Sequence, residues 1–555
     1  MKVALIQSNP VTGALSSNMD ALIAYVRKAR ELGADLCIAP EMAICGNNAG
    51  DLLLRSGFAE KCRNVLDAAA ATLGSDPFLP PLLLGAPVIN PVPEGKNLQN
   101  CAVLLHEGKV MVVGRKVLLP AEGIYDDARY FEPGVACGVL HFKGWRLAVT
   151  VGEDIWNDRA FWQGRRKFAL DPVEDFMNAG GADGLINLTA LPFEQGLSSL
   201  YQRMLSHMAA RYRVPVVSVN MVGGNDSLVF HGQSLGFDNN GRLVARAPAF
   251  EEALLVFDVP GTEEDGPVAP ALSKMEEIWQ AVVLGTRDYA RKCGFRSVVL
   301  GLSGGIDSAL VAAIAAEALG PQNVTGLLMP SLFSSEGSID DSLELAANLG
   351  IATHVLPVTP MYESFRQVFD ESFPDGFSGV AQENAQSRIR GTLLMTYANR
   401  YGALLLATGN KSESSVGYAT LYGDMAGGLA PIGDLFKMQV YALCRWYNST
   451  HGNAIPAVII DKVPSAELRP EQKDSDSLPP YEKLDPILQE IVENRESIAQ
   501  IIQKGYDACM VEEVSRLVQR AEFKRQQAAP ALHLSKCSFG TGWRSPIAIG
   551  YPDPW

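Results

Sequence analysis

Short runs of β-branched and aliphatic residues alternate with segments of helical periodicity along the first 260 residues. Val3–Ile6 predicts a strand, and Ser17 with Asp20 resembles a capping box that would open the following helix. Further strands are predicted at Leu36–Ala39, Leu82–Leu84, Val110–Val113, Leu147–Val151, Leu185–Asn187 and Val216–Val219. This alternation indicates a layered α/β sandwich.

The alternation is more regular after residue 275. The predicted strands are Val298–Leu302, Val324–Leu328, Thr353–Leu356 and Ala403–Ala407. Helices are predicted near Ile339–Leu349 and Asn384–Arg400, and another ends at Leu319 because Gly320 and Pro321 follow it. Strands that alternate with helices in this way favour a parallel sheet covered by helices on both faces.

The clearest break in composition separates these two halves, at Pro260-Gly-Thr-Glu-Glu-Asp-Gly-Pro-Val-Ala-Pro270. Three prolines and two glycines in so short a stretch interrupt both helices and central strands. A length of 555 residues would allow about three or four ordinary domains. The composition break instead predicts two α/β domains, 1–259 and 275–555, joined by a linker at 260–274.

Composition and charge exclude several classes of protein. Hydrophobic residues make up 47% and charged residues 20% of the chain, which excludes a disordered or fibrous protein. The 62 acidic residues outnumber the 47 basic ones, and a net charge of −15 argues against a nucleic-acid-binding scaffold. The sequence has no apolar run long enough to cross a membrane. Its nine cysteines include no C-x-x-C pair, so we expect a reducing, cytoplasmic environment.

A glycine-rich turn, Ser303-Gly-Gly-Ile-Asp-Ser308, lies between a predicted strand and a predicted helix. Backbone N–H groups in such a turn can approach phosphate oxygens, and the helix N-terminus adds a positive dipole. The turn lacks the Lys-Ser/Thr pair of a Walker loop and the G-x-G-x-x-G spacing of a dinucleotide fold. A purely structural glycine turn is the alternative, but the flanking strand and helix favour phosphate binding.

This turn resembles the pyrophosphate loop of N-type ATP pyrophosphatases, and further stretches resemble NAD⁺ synthetases within that superfamily. In chain order they are Met329–Ser331, Ser334–Ser335, Glu383–Gly391, Ala407–Glu413, Gly417–Asp424, Pro464–Leu468, Asp474–Tyr481 and Glu522–Gln526. The resemblance implies a Rossmann-like parallel sheet of the adenine nucleotide α-hydrolase type. It also implies an ATP-dependent NAD⁺ synthase, a carbon–nitrogen ligase that adenylates the nicotinate carboxylate of deamido-NAD⁺. Ammonia then replaces AMP, after pyrophosphate has left.

The same resemblance assigns roles to individual residues. ATP and its pyrophosphate would be bound by Gly301, Leu302, Ser303, Gly304, Gly305, Ile306, Asp307, Ser308 and Thr408. Asp307 would also be catalytic and would hold Mg²⁺ together with Glu413, since hard carboxylate oxygens suit that ion. Deamido-NAD⁺ would be bound by Asn384, Glu413 and Lys524.

Three cationic side chains near these motifs have two interpretations each. Arg388 and Arg390 could both face substrate phosphates, or one of the two could be a solvated residue on the helix surface. Lys437 either orders, together with Asp434, the loop that closes over the site, or is a surface cation.

Residues 1–255 resemble the nitrilase-type glutaminase domain that is fused to many NAD⁺ synthetases, which implies an α-β-β-α sandwich. Glu41 matches the general base and Lys116 the catalytic lysine, while Asp127 stands where the family usually has a second glutamate. The nucleophile motif, normally a cysteine followed by Glu-Asp-Ile/Leu-Trp, reads Gly152-Glu-Asp-Ile-Trp156. Because glycine has no side chain, the thiolate that attacks the amide is missing.

Positions that hold glutamine in the family have changed as well. Glu122 replaces a tyrosine, Leu191-Pro-Phe193 lacks a serine, and Gly196-Leu197 lacks a lysine. We therefore expect a degenerate glutaminase half and an enzyme that depends on free ammonia. Glu41 and Lys116 would then persist either as a buried ion pair or in a residual binding role.

Three alternatives stay open at this point. Ammonia could come from a separate glutaminase chain, the carboxylate substrate could differ from deamido-NAD⁺, or the whole chain could be a non-catalytic binding protein. The expected partners are deamido-NAD⁺, ATP and ammonia, together with further copies of the chain in a homo-oligomer.

Overall fold

The computed structural model describes residues 1–164, 166–259, 266–373 and 376–550. The chain forms two compact units that divide between Ser273 and Lys274. Part of the predicted linker, residues 260–265, lies outside the described residues. Residues 267–269 run beside Arg246, whose N–H donates to the Pro267 carbonyl at 2.9 Å and whose carbonyl accepts from the Ala269 N–H at 3.0 Å.

The first unit contains both parallel and antiparallel strands. Its strands are β1 (Lys2–Gln7), β2 (Leu36–Ile38), β3 (Leu82–Ile89), β4 (Leu98–His106), β5 (Lys109–Arg115), β6 (Gly138–Phe142), β7 (Trp145–Val151), β8 (Gly184–Thr189), β9 (Val216–Asn220), β10 (Val222–Asn225), β11 (Leu228–His231), β12 (Leu235–Phe237), β13 (Leu243–Arg246) and β14 (Ala253–Asp258). Its helices are α1 (Leu15–Glu31), α2 (Phe58–Gly74), α3 (Asp127–Tyr130), α4 (Pro172–Asn178) and α5 (Leu197–Tyr212).

These elements form four layers. One sheet has the order β14-β1-β2-β3-β4-β5 and the other β13-β12-β9-β8-β7-β6, while β10 and β11 form a separate hairpin. Side chains of both sheets, such as Leu5 and Val149, share one core cluster. The first sheet also packs against α1 and α2, and the second against α5. The first unit is therefore an α-β-β-α sandwich.

The second unit is built on a short parallel sheet. Its strands are β15 (Val298–Gly301), β16 (Val324–Leu328), β17 (Ala352–Val355) and β18 (Leu404–Leu405). Its helices are α6 (Lys274–Lys292), α7 (Ile306–Leu319), α8 (Glu336–Leu349), α9 (Thr359–Ser372), α10 (Val380–Tyr401), α11 (Lys411–Val416), α12 (Lys437–His451), α13 (Ala457–Asp461), α14 (Tyr481–Leu488), α15 (Ile498–Gln503), α16 (Ala508–Arg520) and α17 (Glu522–Arg525).

The strand order of this sheet is β17-β16-β15-β18, with every neighbouring pair parallel. From β15 the chain proceeds outward to β16 and β17, then returns to the other side of β15 as β18. The strand order therefore reverses between β15 and β18. In open α/β sheets, ligands bind in the crevice at the carboxyl ends of the two strands that flank such a reversal.

Most of the predicted strands and helices agree with the structure to within a few residues. Val324–Leu328 has the bounds predicted for it, whereas the strand that begins at Leu82 continues to Ile89. The predicted capping box is wrong, because α1 begins at Leu15 and the Ser17 hydroxyl donates within the first turn to the Ala14 carbonyl at 3.1 Å. The buried strand β4 lacks the alternation that would have predicted it.

Two further sequence expectations concern the environment of the protein. Among the described residues, no helix is long and apolar enough to cross a membrane. All nine cysteines are present as free thiols, and seven of them are buried.

Candidate active site

The glycine-rich loop connects the end of β15 to the start of α7, at the point where the strand order reverses. Gly304 has a φ of +72°, and a Cβ atom there would lie 2.6 Å from the Ser338 carbonyl oxygen, so only glycine fits. The loop is braced by its own hydroxyls: Ser303 Oγ lies 3.1 Å from Ser308 Oγ and accepts from the Gly305 N–H at 3.2 Å. The loop thus has a fixed shape, with Gly305 leading directly into α7.

Three other residues predicted at this loop have no side chain available to a ligand. Leu302 and Ile306 are each 4% exposed, so their side chains belong to the core. Gly301 ends β15, and a Cβ there would lie 3.3 Å from the Met329 Cε atom. Any contact of these three residues with a phosphate would therefore come from main-chain N–H groups.

Asp307 and Glu413 approach each other across the strand reversal. Asp307 lies in the first turn of α7, and Glu413 lies in the first turn of α11, which follows β18. The Lys437 ammonium contacts Asp307 and lies 3.6 Å from Glu413 Oε1. The Asn410 side-chain amide donates to Asp307 Oδ1 at 2.9 Å. Sequence-distant groups are thus brought together in one charged cluster.

The cluster contains two carboxyl groups and one ammonium group. Burial raises the pKa of Glu413 to about 8, with a further contribution from Asp307 and with Lys437 acting in the opposite direction. Burial alone would lower the pKa of Lys437, but Asp307 and Glu413 outweigh it and raise that pKa above its usual value. An excess of hard carboxylate oxygens fits a divalent cation such as Mg²⁺.

Two of the three residues predicted to bind deamido-NAD⁺, Asn384 and Lys524, contact the loop 417–424, whereas the third, Glu413, lies in the cluster with Lys437. The Thr420 hydroxyl donates to Asn384 Oδ1 at 2.7 Å, and Lys524 Nζ donates to the carbonyls of Gly417 and Ala419 at 2.7 and 2.8 Å. Thr408 is half-buried between β18 and α11. Asn384 and Lys524 therefore hold the same loop from two sides.

The structure decides between the two interpretations only for Lys437, and both arginines contact backbone carbonyls. Arg388 is exposed and its Nε donates to the Leu421 carbonyl at 3.1 Å, whereas the half-buried Arg390 donates to the Met329 carbonyl at the same distance. Lys437 is 2% exposed, so the interpretation as a surface cation is wrong. Its partner is Asp307 rather than Asp434.

Lys411, beside this cluster, was missed by sequence reasoning. Its side chain is fully buried, and its Nζ lies 2.8 Å from Asp434 Oδ1 and 2.7 Å from Glu493 Oε1. The Asp434 carboxylate also accepts N–H bonds from Leu534 and Ser535, each at 2.8 Å. The start of α11 is thereby tied to the C-terminal part of the chain. The motif Ala407–Glu413, which contains Lys411, gave no indication that this lysine would be buried among carboxylates.

A second cluster lies in the first unit, around Lys116. Its ammonium lies 2.9 Å from Glu41 Oε1, 2.6 Å from Asp127 Oδ2 and 2.5 Å from Glu153 Oε2. Oxygen atoms of these three carboxylates lie within 4.8 Å of one another, which is close enough for a metal ion. Lys116 Nζ donates to Glu41 Oε1 and Asp127 Oδ2, while Glu153 Oε2 contacts the ammonium as an ion pair without a hydrogen bond, so the ammonium lies among all three carboxylates.

Burial and the neighbouring charges both shift the pKa values of Glu41 and Lys116. It raises the pKa of Glu41 to about 7, despite the opposing effect of Lys116. Burial would lower the pKa of Lys116, but Asp127, Glu153 and Glu41 outweigh it and raise that pKa well above its usual value. The Glu41 carboxylate also accepts from Asn100 Nδ2 at 2.7 Å. The arrangement is a compact ion-pair network in a nearly closed environment.

Gly152 lies directly against this network, between β7 and a 3₁₀ turn over Gly152–Ile155. Its φ is +53°, and a Cβ atom there would lie 2.7 Å from both Glu41 Oε2 and Lys116 Nζ. The recess in front of Glu41 and Lys116 measures about 50 Å³. Small-molecule pockets are typically ~300–1,000 Å³, so this recess is small by comparison.

The substituted positions, which the resemblance assigns to a glutamine pocket, differ in how exposed they are. Glu122 is exposed, and Leu197 is half-buried at the start of α5. Leu191 is 3% exposed, and its N–H donates to Asn220 Oδ1 at 2.9 Å. Its neighbour Pro192, in contrast, lines the recess.

Two family models match the chain, one for each unit. Residues 2–264 match the carbon–nitrogen hydrolase family, and residues 278–528 match the NAD synthase family. Both matches follow the division of the chain into two units.

Full-length relatives have the same two-domain arrangement. The glutamine-dependent NAD(+) synthetase of Synechocystis is 45% identical, with 99% of each chain covered. The enzyme of the same name from Thermotoga maritima is 37% identical, over 100% of this chain and 99% of the relative. These names stand against the expectation of a degenerate glutaminase half.

Solved structures agree with the fold. The glutamine-dependent NAD⁺ synthetase of Acinetobacter baumannii, in complex with ADP, is 36% identical, with a TM-score of 0.76 and 98% of each chain covered. The enzyme from Cytophaga hutchinsonii has a TM-score of 0.82 at 22% identity, over 99% of this chain and 97% of that one, and supports the fold alone. The chain belongs to the NAD synthase family of carbon–nitrogen ligases, as a member in which a carbon–nitrogen hydrolase domain precedes the NAD⁺ synthetase domain.

Proposed function

We propose that the second unit adenylates the nicotinate carboxylate of deamido-NAD⁺ with ATP and then amidates it with ammonia, releasing AMP and pyrophosphate. The observation that carries the proposal is the cluster of Asp307, Lys437 and Glu413 beside the glycine-rich loop, at the reversal of strand order. Adenylation needs phosphate-binding N–H groups and positive charge where pyrophosphate leaves, and this crevice supplies both.

The loop residues Ser303–Ser308 would bind the pyrophosphate through backbone N–H groups at the start of α7. Lys437, held by Asp307, would offer its ammonium to the phosphate oxygens. Asp307 and Glu413 would hold Mg²⁺, which neutralises charge on the leaving pyrophosphate when it is bound. Thr408, at the edge of the same crevice, would contact ATP.

Deamido-NAD⁺ would lie along the loop 417–424. Asn384 and Lys524 support that loop through Thr420 and through the carbonyls of Gly417 and Ala419. Burial lowers the pKa of Lys524, and Asp424 acts in the opposite direction. A cation and an amide at one loop suit a substrate that carries phosphates and hydroxyls.

We further propose that the ammonia does not come from glutamine hydrolysed by the first unit. Position 152 has no nucleophile, and the recess of about 50 Å³ in front of Glu41 and Lys116 is small compared with typical small-molecule pockets. The relatives named glutamine-dependent argue for the opposite outcome. The alternative that reconciles both is a separate glutaminase chain that supplies ammonia to this one.

The experiment is NAD⁺ formation by the purified full-length chain, with ATP, Mg²⁺ and either ammonium or glutamine. Activity with ammonium alone is the expected result, and efficient use of glutamine would overturn the ammonia proposal. Glutamine use that appears only after lysate is added would support a separate glutaminase.

A panel of other carboxylates, with pyrophosphate release as the readout, tests which substrate is adenylated. No pyrophosphate release with deamido-NAD⁺ would overturn the synthetase assignment of these residues.

We also propose a cellular compartment and an oligomeric state for this protein. The free thiols favour a reducing compartment, so we place the reaction in the cytoplasm. The resemblance favours a homo-oligomer, which sedimentation of the purified chain would test.

A further inference from the structure

Asn410 connects the two carboxylates of the synthetase cluster. Its side chain is fully buried. The Nδ2 group donates to Asp307 Oδ1 at 2.9 Å, and Oδ1 accepts from the Glu413 N–H at 3.0 Å. The Asn410 backbone N–H in turn donates to Glu413 Oε2 at 3.3 Å. One residue therefore makes three hydrogen bonds that end on Asp307 and Glu413.

The two ends of the amide have different chemical requirements, and both fix the same orientation. The carboxylate of Asp307 can only accept, so it requires the NH₂ group, while the Glu413 N–H can only donate and requires the oxygen. Rotation of the amide by 180° would place oxygen against carboxylate and NH₂ against N–H. Asn410 is therefore held in one orientation by both neighbours.

The connection bridges two elements that are far apart in the chain. Asp307 follows β15 and Asn410 follows β18, 103 residues later. The carboxylates repel each other, and Lys437 approaches Glu413 only to 3.6 Å, so the lysine alone leaves that side chain loosely held. The hydrogen bonds of Asn410 fix the backbone of Glu413 relative to Asp307.

We propose that Asn410 is a positioning residue that sets the separation of Asp307 and Glu413 for the divalent cation. This inference rests on the proposed function, in which those two carboxylates hold Mg²⁺. Asn410 itself touches neither metal nor substrate; it acts through the two ligands. Preset ligands bind a cation without first being reorganised.

A serine at position 410 separates this role from ordinary helix capping. Asn410 is the N-cap of α11, and serine is an equally good N-cap because its hydroxyl also accepts from the third N–H. The shorter serine side chain cannot also donate to Asp307. Asn410→Ser should therefore retain α11 and lose the bond to Asp307. Asn410→Thr has the same logic and fills more of the buried volume, so it serves if the serine variant is poorly folded.

The matched control is Asn448→Ser. Asn448 also bridges a donor and an acceptor, since its Nδ2 donates to the Ile455 carbonyl at 2.7 Å and its Oδ1 accepts from the Ile455 N–H at 3.0 Å. It lies in the same unit and touches neither carboxylate. Loss of its amide measures the general effect of such a substitution.

The test measures Mn²⁺ binding to the full-length chain by EPR, with an ATP analogue that cannot be cleaved between the α- and β-phosphates. Mg²⁺ activation of NAD⁺ formation is measured in parallel. Asn410→Ser is expected to raise the half-saturating concentration of both ions about tenfold, the usual effect of losing a hydrogen bond to a charged group. The KM for deamido-NAD⁺ and the melting temperature should match those of Asn448→Ser.

Two results would overturn a claim, and they are distinguishable. If Asp307→Asn and Glu413→Gln weaken Mn²⁺ binding but both capping variants bind it as tightly as the native chain, the positioning inference is wrong. If Asp307→Asn and Glu413→Gln also leave Mn²⁺ binding unchanged, the proposed metal role of those carboxylates is wrong.

Discussion

The ammonium group of Lys116 lies where a side chain at Gly152 would begin, since a Cβ atom at residue 152 would be 2.7 Å from Nζ. Gly152 follows the last residue of β7 and has a positive φ, and its backbone lies directly beside the ion-pair network. Lys116 and Glu41 can therefore approach this backbone more closely than any non-glycine residue would allow.

Gly152→Ala is expected to destabilise the first unit by about 1–2 kcal/mol. Alanine at a φ of +53° is strained by about that amount, and its methyl group must displace Glu41 or Lys116. Hydrogen exchange of first-unit peptides in denaturant measures this change. Gly108→Ala is the control for backbone strain alone, because it also has a positive φ but no atom within 4 Å of its Cβ. Equal effects of the two substitutions would show that the contact with the network costs nothing.

Gly152→Cys alone is expected not to produce glutamine-dependent NAD⁺ formation. A thiol would be added, but the recess stays at about 50 Å³, and Leu191 and Leu197 supply neither a hydroxyl nor a cation for glutamine. Glutamate release from glutamine, measured with and without the substitution, is the readout. Restored hydrolysis at the level of the ammonia-dependent rate would contradict the proposal that the first unit does not supply ammonia.

Removing the positive charge of the first cluster should be far more costly than removing Glu41. Lys116→Met leaves the buried Glu41 and the partly buried Asp127 and Glu153 without a cation, and breaking a buried pair costs about 3–5 kcal/mol. Glu41→Gln keeps a polar group in place and lowers the excess of negative charge, so a smaller loss is expected. Denaturant unfolding of both variants is the measurement, and a Lys116→Met protein as stable as Glu41→Gln would contradict this account.

Glu41 should also give the first unit a specific pH dependence. Its folded pKa is raised to about 7 from a reference of 4.5, so the folded state binds the proton more tightly than the unfolded state. The stabilisation from this proton is present below pH 4.5 and is lost as the pH rises towards 7. Glu41→Gln should therefore flatten the decline in stability over that range. An unchanged pH profile in the variant would show that Glu41 titrates normally.

The sequence predicted the parts of the synthetase site that lie within one strand–turn–helix segment. Ser303–Ser308 was recognisable because its glycines fall between a buried strand and a helix, and the structure has that connection. Lys437 was left with two interpretations and Asn410 was given no role, because their partner Asp307 lies 130 and 103 residues away in the chain. No local pattern distinguishes a buried lysine with such a partner from a solvated one.

The same limit applies in the first unit. The motif around Gly152 predicted that a nucleophile is missing there, but the contact of Lys116 with three carboxylates depends on how separate loops pack. Glu153 stood in the motif without an assigned role, yet it is one of the partners of Lys116. Periodicity predicts which strands exist, whereas charge networks follow from tertiary packing.

Lys411→Met should destabilise the second unit by about 3–5 kcal/mol, since Asp434 and Glu493 would lose their buried cation. Lys504→Met is the matched control. Lys504 also contacts two glutamates, at 2.8 and 3.1 Å, but it is 41% exposed, and such surface pairs contribute little to stability. Chemical denaturation followed by hydrogen exchange of peptides from α11 compares the two. Equal effects would mean that the Lys411 network does not stabilise the start of α11.

Gly304→Ala should abolish most of the synthetase activity while leaving the fold largely intact. Its Cβ would lie 2.6 Å from the Ser338 carbonyl, a backbone atom that cannot rotate away, and the φ of +72° disfavours alanine. The loop must therefore shift, which moves the N–H groups proposed to bind pyrophosphate; losing such donors typically costs ~10²–10³-fold in kcat.

Gly305→Ala is the comparison, because its φ is not positive and its Cβ would meet only Ser303 Oγ, at 3.2 Å. We expect a much smaller loss of kcat there. Pyrophosphate release by the two variants decides the matter, and equal rates would show that the shape of the loop at Gly304 is not required.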